Sequence, residues 1–280
     1  MVNNRKWKPW VVDPRRKGRL YLDHYGFDWK SLKFWKSDYW KLIKDYLKER
    51  RELGHNVIPN SYEIMFRSLV MTPFDRTKIV ILGQDPYYTK GVTDGLAFSI
   101  LPNKISVPTA RKKGAFDKSF YPSEKTEING QARRAIPGSL KRIFDEYRED
   151  TGYPQPLTGD LSTWARNGIL LANMVWSVEE GRPKSHYRIK GKYAWQELTC
   201  EILEQLSIRR DKLVFILWGK VAQEYSYMID SSKHLILKGA HPTPRNISLT
   251  AKDGIPFRGG QYFTKACDYL GIDKRIWRLP

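Results

Sequence analysis

Four short segments carry residue types that could do chemistry. In Gly83-Gln84-Asp85-Pro86-Tyr87-Tyr88 a carboxylate precedes a proline and two tyrosines. A carboxylate on a stiffened turn beside aromatic rings suits a general base or a stabiliser of positive charge. An isolated Asp-Pro pair more often only caps a turn. In Gly95-Leu96-Ala97-Phe98-Ser99 small residues present one ring, Phe98, which equally fits the core of a short strand. Asn173 ends an apolar run. Its amide sets a donor beside an acceptor, a pattern that matches a pyrimidine edge or closes a turn. In Ala240-His241-Pro242-Thr243-Pro244 two prolines fix the loop around an imidazole able to act as acid, base or electrophile.

These segments need elements to position them. Lys78–Leu82, Gly168–Asn173, Leu213–Trp218 and His234–Leu237 are short, continuously apolar runs that read as buried strands. Helical spacing predicts helices from Ser37 or Asp38 to about Leu53, from a Ser139 cap through Tyr147, over Tyr193–Ser207, over Val221–Ile229 and over Gln261–Leu270. Strands thus alternate with helices and carry no polar face. The expected fold class is α/β: a single domain with a central, mostly parallel four-stranded sheet flanked by helices on both faces. In such sheets ligands bind beyond the carboxyl ends of the strands. That places Gln84, Asp85, Asn173, Gly219 and His241 together as candidates.

The 280 residues carry 49 Lys and Arg against 30 Asp and Glu, a formal charge of +19. Such an excess suits a polyanionic partner, because neutralised phosphates release counterions. The basic residues cluster in residues 1–20, where Trp7 and Trp10 interleave with them, and in residues 103–135, with eight basic residues against three acidic. A segment of that length without clear periodicity reads as a basic insertion. No apolar window of about 18 residues exists to span a membrane, and the basic N-terminus lacks the apolar core of a secretory signal. Cys200 and Cys267 alone build neither a disulfide scaffold nor a four-cysteine metal site. An intracellular setting is expected.

In this order, GQDPY after a strand, GLAFS, LLAN followed by Val175 and Ser177-Val178, VFILWG and HPTP resemble the signature blocks of family 1 uracil-DNA glycosylases. The resemblance runs from about Phe34 to Leu270 outside the insertion. It includes Ile136-Pro137-Gly138-Ser139 and the stretch from Leu161 to Gly168. It implies a catalytic domain over residues 31–280 behind a basic arm at 1–30. The implied activity is hydrolysis of the N-glycosidic bond of uracil in DNA after the nucleotide is flipped from the stack. By that resemblance Asp85 orients water and stabilises the cationic sugar, and His241 donates to uracil O2. Asn173 reads the uracil edge and rejects cytosine, Phe98 stacks on the flipped ring, and Tyr87 excludes a thymine methyl. Gln84 assists uracil and water, while Ser139 and Thr243 contact phosphates.

The resemblance implies no cofactor and no metal. It implies uracil-containing DNA, single or double stranded, as partner, with a DNA-mimicking protein as a candidate inhibitor, no membrane, and a monomer. The sequence departs from the family pattern at Tyr88, where a histidine is usual. It departs again at Arg245, which stands where a leucine usually wedges into the duplex. Arg245 can stack in the gap and bind phosphate, or Ile247 or Leu249 can supply the wedge. The insertion and the long loop hint at a divergent, virus-encoded source. The basic insertion, the arm and the departures at Tyr88 and Arg245 leave open a second reading, a DNA-binding accessory factor on a glycosylase fold with weak or lost catalysis.

Overall fold

The computed structural model describes residues 28–101, 126–128, 131–133, 136–156, 158–243 and 256–280. Four strands, β1 (Ile79–Gly83), β2 (Ile169–Asn173), β3 (Val214–Trp218) and β4 (Leu235–Gly239), form one sheet in the order β2-β1-β3-β4. All three pairings are parallel. The first three strands are buried along their whole length. Successive side chains of a strand point to opposite faces, so such strands need a packed layer on each side. Val80, Leu82, Leu170, Ala172, Phe215 and Leu217 enter one core cluster. Ile79, Ile81, Ile169, Leu171, Val214 and Ile216 enter the other. Truncating one of these buried aliphatics to alanine should cost about 2–5 kcal/mol.

Four longer helices cover the faces: α1 (Asp38–Glu52), α2 (Gly138–Thr151), α3 (Ala194–Arg209) and α4 (Tyr262–Leu270). Ile43 and Leu47 of α1 join Leu198, Ile202 and Leu206 of α3 in the first cluster. Leu140, Ile143 and Phe144 of α2 join Phe263 and Ala266 of α4 in the second. The architecture is therefore the α/β arrangement expected from the alternating runs.

Several local expectations are corrected. Ser37 does cap α1, accepting from Trp40 N at 3.3 Å. Ser139 is not the cap of α2; Pro137 holds that position and no side chain caps it. The helix expected over Val221–Ile229 is broken into Lys220–Gln223 and a 3-10 turn at Ser226–Met228. Gln223 is drawn toward the sheet, where its Nε2 donates to Leu217 O and Gly239 O. The basic insertion contains an antiparallel pair, Thr126–Ile128 with Gln131–Arg133. Its sequence signal is the intervening Asn129-Gly130, a dipeptide favoured in tight hairpin turns. The rest of the insertion and residues 1–27 of the arm lie outside the described residues. Trp29 is buried and donates to Thr72 O, so the folded body already includes the end of the expected arm. Among the described residues no helix is long and apolar enough to cross a membrane.

Candidate active site

Register brings two of the candidate segments side by side. Gly83, the last residue of β1, pairs with Asn173, the last of β2. Met174 N then donates to Gly83 O and Val175 N to Gln84 O, both at 2.9 Å. A Cβ at position 83 would overlap Asn173 Oδ1, so only glycine lets the amide sit there. After β3, Gly219 at φ +86° lies against His241, and a Cβ there would come within 2.9 Å of His241 Cβ. The loops beyond these strand ends enclose a cavity of about 130 Å³. Gln84, Asp85, Tyr87, Phe98, Ser139, Asn173 and His241 line it together. That is well under the several hundred Å³ of drug-sized ligand pockets and suits one small ring.

The carboxylate and the imidazole are both largely withdrawn from water. Asp85 Oδ2 accepts from Lys184 N at 2.9 Å, and Oδ1 accepts from Gln84 Nε2 at 3.3 Å. Burial pushes its carboxyl above the usual carboxylate range, against the pull of these donors. Burial pushes His241 the other way, below the ordinary imidazole value, and the charge of Lys184 adds to this. The imidazole is therefore neutral at neutral pH. Its Nδ1 is buried without a hydrogen-bond partner among the described residues.

The ring-bearing wall is held by backbone geometry. Phe98 sits at φ +64°, a left-handed conformation that costs a side chain about 1–2 kcal/mol. Its carbonyl accepts from Tyr87 Oη at 3.1 Å. Its ring meets Trp218 edge-on at 5.8 Å and lies 6.4 Å from the His241 ring. The Tyr87 hydroxyl is thus committed to the fold, its ionisation pushed far up by burial, and what the residue offers the cavity is its ring. Gly95-Leu96-Ala97-Phe98-Ser99 forms no strand of its own; Ala97 N donates to Leu171 O of β2. Asn173 is fixed from behind, its main-chain carbonyl accepting from Thr199 Oγ1 at 3.1 Å.

Two expected site residues stand apart. Thr243 is described but does not line the cavity; its N–H closes a tight turn onto His241 O at 2.7 Å. Arg245, with Ile247 and Leu249, lies outside the described residues. Three contributors escape sequence reasoning. Pro183 lines the cavity, Trp218 backs Phe98, and Lys184 acts through its main chain. A backbone donor leaves no side-chain signature.

A second hollow, of about 660 Å³, opens at the opposite, amino end of the strands. Arg76, Lys78, Arg166, Arg210 and Arg275 line it with Asp75 and Asp273. Arg275 pairs with Asp273 at 3.1 Å, and Arg210 donates to Phe74 O.

Comparison with known proteins gives the family. Residues 71–271 match the family described as the uracil DNA glycosylase superfamily. A protein named uracil-DNA glycosylase from Acinetobacter baumannii (strain SDF) is 36% identical over 256 residues, covering 90% of this chain and 91% of the relative. The crystal structure of mimivirus uracil-DNA glycosylase superposes with a TM-score of 0.66 at 19% identity, covering 97% of this chain and 98% of that one. A mimivirus variant solved in complex with UGI superposes at 0.64 with 21% identity over 88% of each chain. At such identities the two structures speak for the fold alone.

Proposed function

The chain belongs to the uracil DNA glycosylase superfamily, and from that premise we propose that it is a family 1 type enzyme hydrolysing uracil from DNA. The observation that carries this reading is the meeting of the Asp85 carboxylate, the neutral His241 imidazole and the Asn173 amide around a cavity sized for one ring. The target bond lies inside the base stack, so the nucleotide must first be extruded, at a cost of a few kcal/mol recovered from phosphate and pocket contacts.

In the pocket the base stacks on Phe98, and the ring of Tyr87 fills the space that a 5-methyl group would need. Asn173 offers a donor and an acceptor to the uracil edge. Cytosine presents the opposite pattern and would leave buried polar groups unpaired. As the N-glycosidic bond stretches, positive charge grows on the sugar and negative charge on the base. The Asp85 carboxylate stabilises the first and orients water held with Gln84; His241 donates a hydrogen bond against the second. A neutral imidazole serves here because it offers an N–H without requiring a proton at neutral pH. Ser139 and Thr243 contribute hydroxyl donors to phosphates, and Arg245 fills or clamps the place the base has left.

The catalytic unit, which takes in Trp29 from the end of the expected arm, works behind that basic arm as a monomer inside the cell on single- or double-stranded DNA. A DNA-mimicking inhibitor protein suits a chain with a formal charge of +19.

The test is release of free uracil from a uracil-containing oligonucleotide by the full chain, with Asp85→Asn and His241→Leu as controls. Release that is lost or sharply reduced in both variants is expected. Release unchanged in both would overturn the assigned roles.

A further inference from the structure

Lys184 is placed with unusual care for an exposed lysine. Its N–H donates to Asp85 Oδ2 at 2.9 Å, the shorter of the two hydrogen bonds on that carboxylate. It sits at φ +62°, where glycine or asparagine is the usual occupant. A conformation of that cost persists only where the surroundings dictate it.

Those surroundings are a braced turn. Arg50 and Arg182 hold the Glu179 carboxylate at 2.6 and 3.0 Å. Glu179 N donates to Ser185 Oγ at 2.7 Å, and Gly181 N to Tyr88 O at 2.9 Å. The imidazole of His186, fully buried, pairs through Nδ1 with Ser177 Oγ at 2.8 Å. That hydroxyl also accepts from Trp195 Nε1. The turn therefore cannot drift without breaking several buried contacts.

The side chain faces solvent beside Pro183, which lines the cavity. Lys184 directly follows Pro183 in the chain and its N–H reaches Asp85, so the exposed side chain leaves the backbone beside the cavity wall. Among the described residues the ammonium has no ion-pair partner. An exposed cation borne by a residue whose backbone touches the cavity carboxylate, and whose charge that carboxylate does not take up, is suited to a phosphate.

We propose that Lys184 is a positioning residue with two separate grips: its main-chain N–H fixes the Asp85 carboxylate, and its ammonium binds a phosphodiester oxygen next to the extruded nucleotide. The inference rests on the glycosylase reading above and adds to it a contact from a residue outside the segments GQDPY, GLAFS, LLAN and HPTP.

Two substitutions separate the grips. Lys184→Asn keeps the N–H and tolerates the left-handed turn but removes the charge; Lys184→Arg keeps both. In the full chain, KM and kcat are measured for uracil release from a duplex oligonucleotide. Affinity for the matching duplex carrying an abasic site is measured against salt. For Lys184→Asn, KM should rise about tenfold with a much smaller fall in kcat. The slope of log affinity on log salt should shrink by about one, the value for one lost phosphate contact. Lys184→Arg should restore both. An unchanged salt slope in Lys184→Asn, or a fall in kcat that Lys184→Arg does not rescue, would overturn the proposal. Failure of the parent chain to release uracil would count against the glycosylase reading instead, and the salt arm would still report on Lys184.

Discussion

The two ends of the sheet hold opposite kinds of hollow. At the carboxyl end a cavity of about 130 Å³ gathers an acid and an imidazole that burial drives toward their neutral forms. At the amino end a hollow of about 660 Å³ is lined by five basic residues and two acids. There Asp273 and Arg275 are stabilised as ions by each other: the carboxyl lies below its usual value and the guanidinium above. Charge density and volume favour the amino end, yet the chemistry we propose belongs to the other. Reactivity needs groups whose protonation is set by the protein rather than by water, and desolvation provides that only in the smaller space.

The sharpest way to break this comparison is to alter the two ends separately. Asp85→Asn should lower the rate of uracil release by about 10²–10³-fold, the usual loss when a preorganised stabiliser of transition-state charge is removed. The next effect comes from space alone. Gly83→Ala, whose Cβ would overlap Asn173 Oδ1, should displace the amide and cost about tenfold or more in kcat/KM for a uracil-containing oligonucleotide, with no charge changed.

Stability gives a smaller effect of opposite sign. The folded-state pKa of Asp85 is raised, so its contribution to stability is present at low pH and lost as pH rises through that value. At neutral pH the buried carboxylate is a net cost. Asp85→Asn should then raise Tm by roughly 1–3 °C at pH 7.5, with the gain fading as the pH is lowered. A Tm that falls in this variant would show the carboxylate to be stabilised rather than strained. The smallest effect belongs to the amino end. Arg76→Gln together with Lys78→Gln should change uracil release from a short oligonucleotide less than twofold and stability by about 0.5 kcal/mol or less. A large loss of activity there would remove the distinction between the two ends.

The strands were legible because burial on both faces leaves only apolar residues, and Ser37 was legible because capping is a local interaction. The helix over Val221–Ile229 was not, because its end is set by Gln223 reaching two carbonyls of the distant sheet. The candidate residues at the strand ends could be named from type and order, whereas their closeness depends on the register Gly83 to Asn173. Lys184 was invisible for a different reason. What it gives the carboxylate is a main-chain N–H, and its left-handed backbone runs against its own preference.

The cavity takes its parts from the ends of strands far apart in the chain: Asp85 follows β1, Asn173 ends β2, and His241 follows β4, with β3 between β1 and β4. No single strand with its following loop assembles it. During refolding, enzymatic turnover can return only after the last of these strands has docked, so a time course of uracil release doubles as a clock for completion of the sheet, and any partly paired species is silent in the assay.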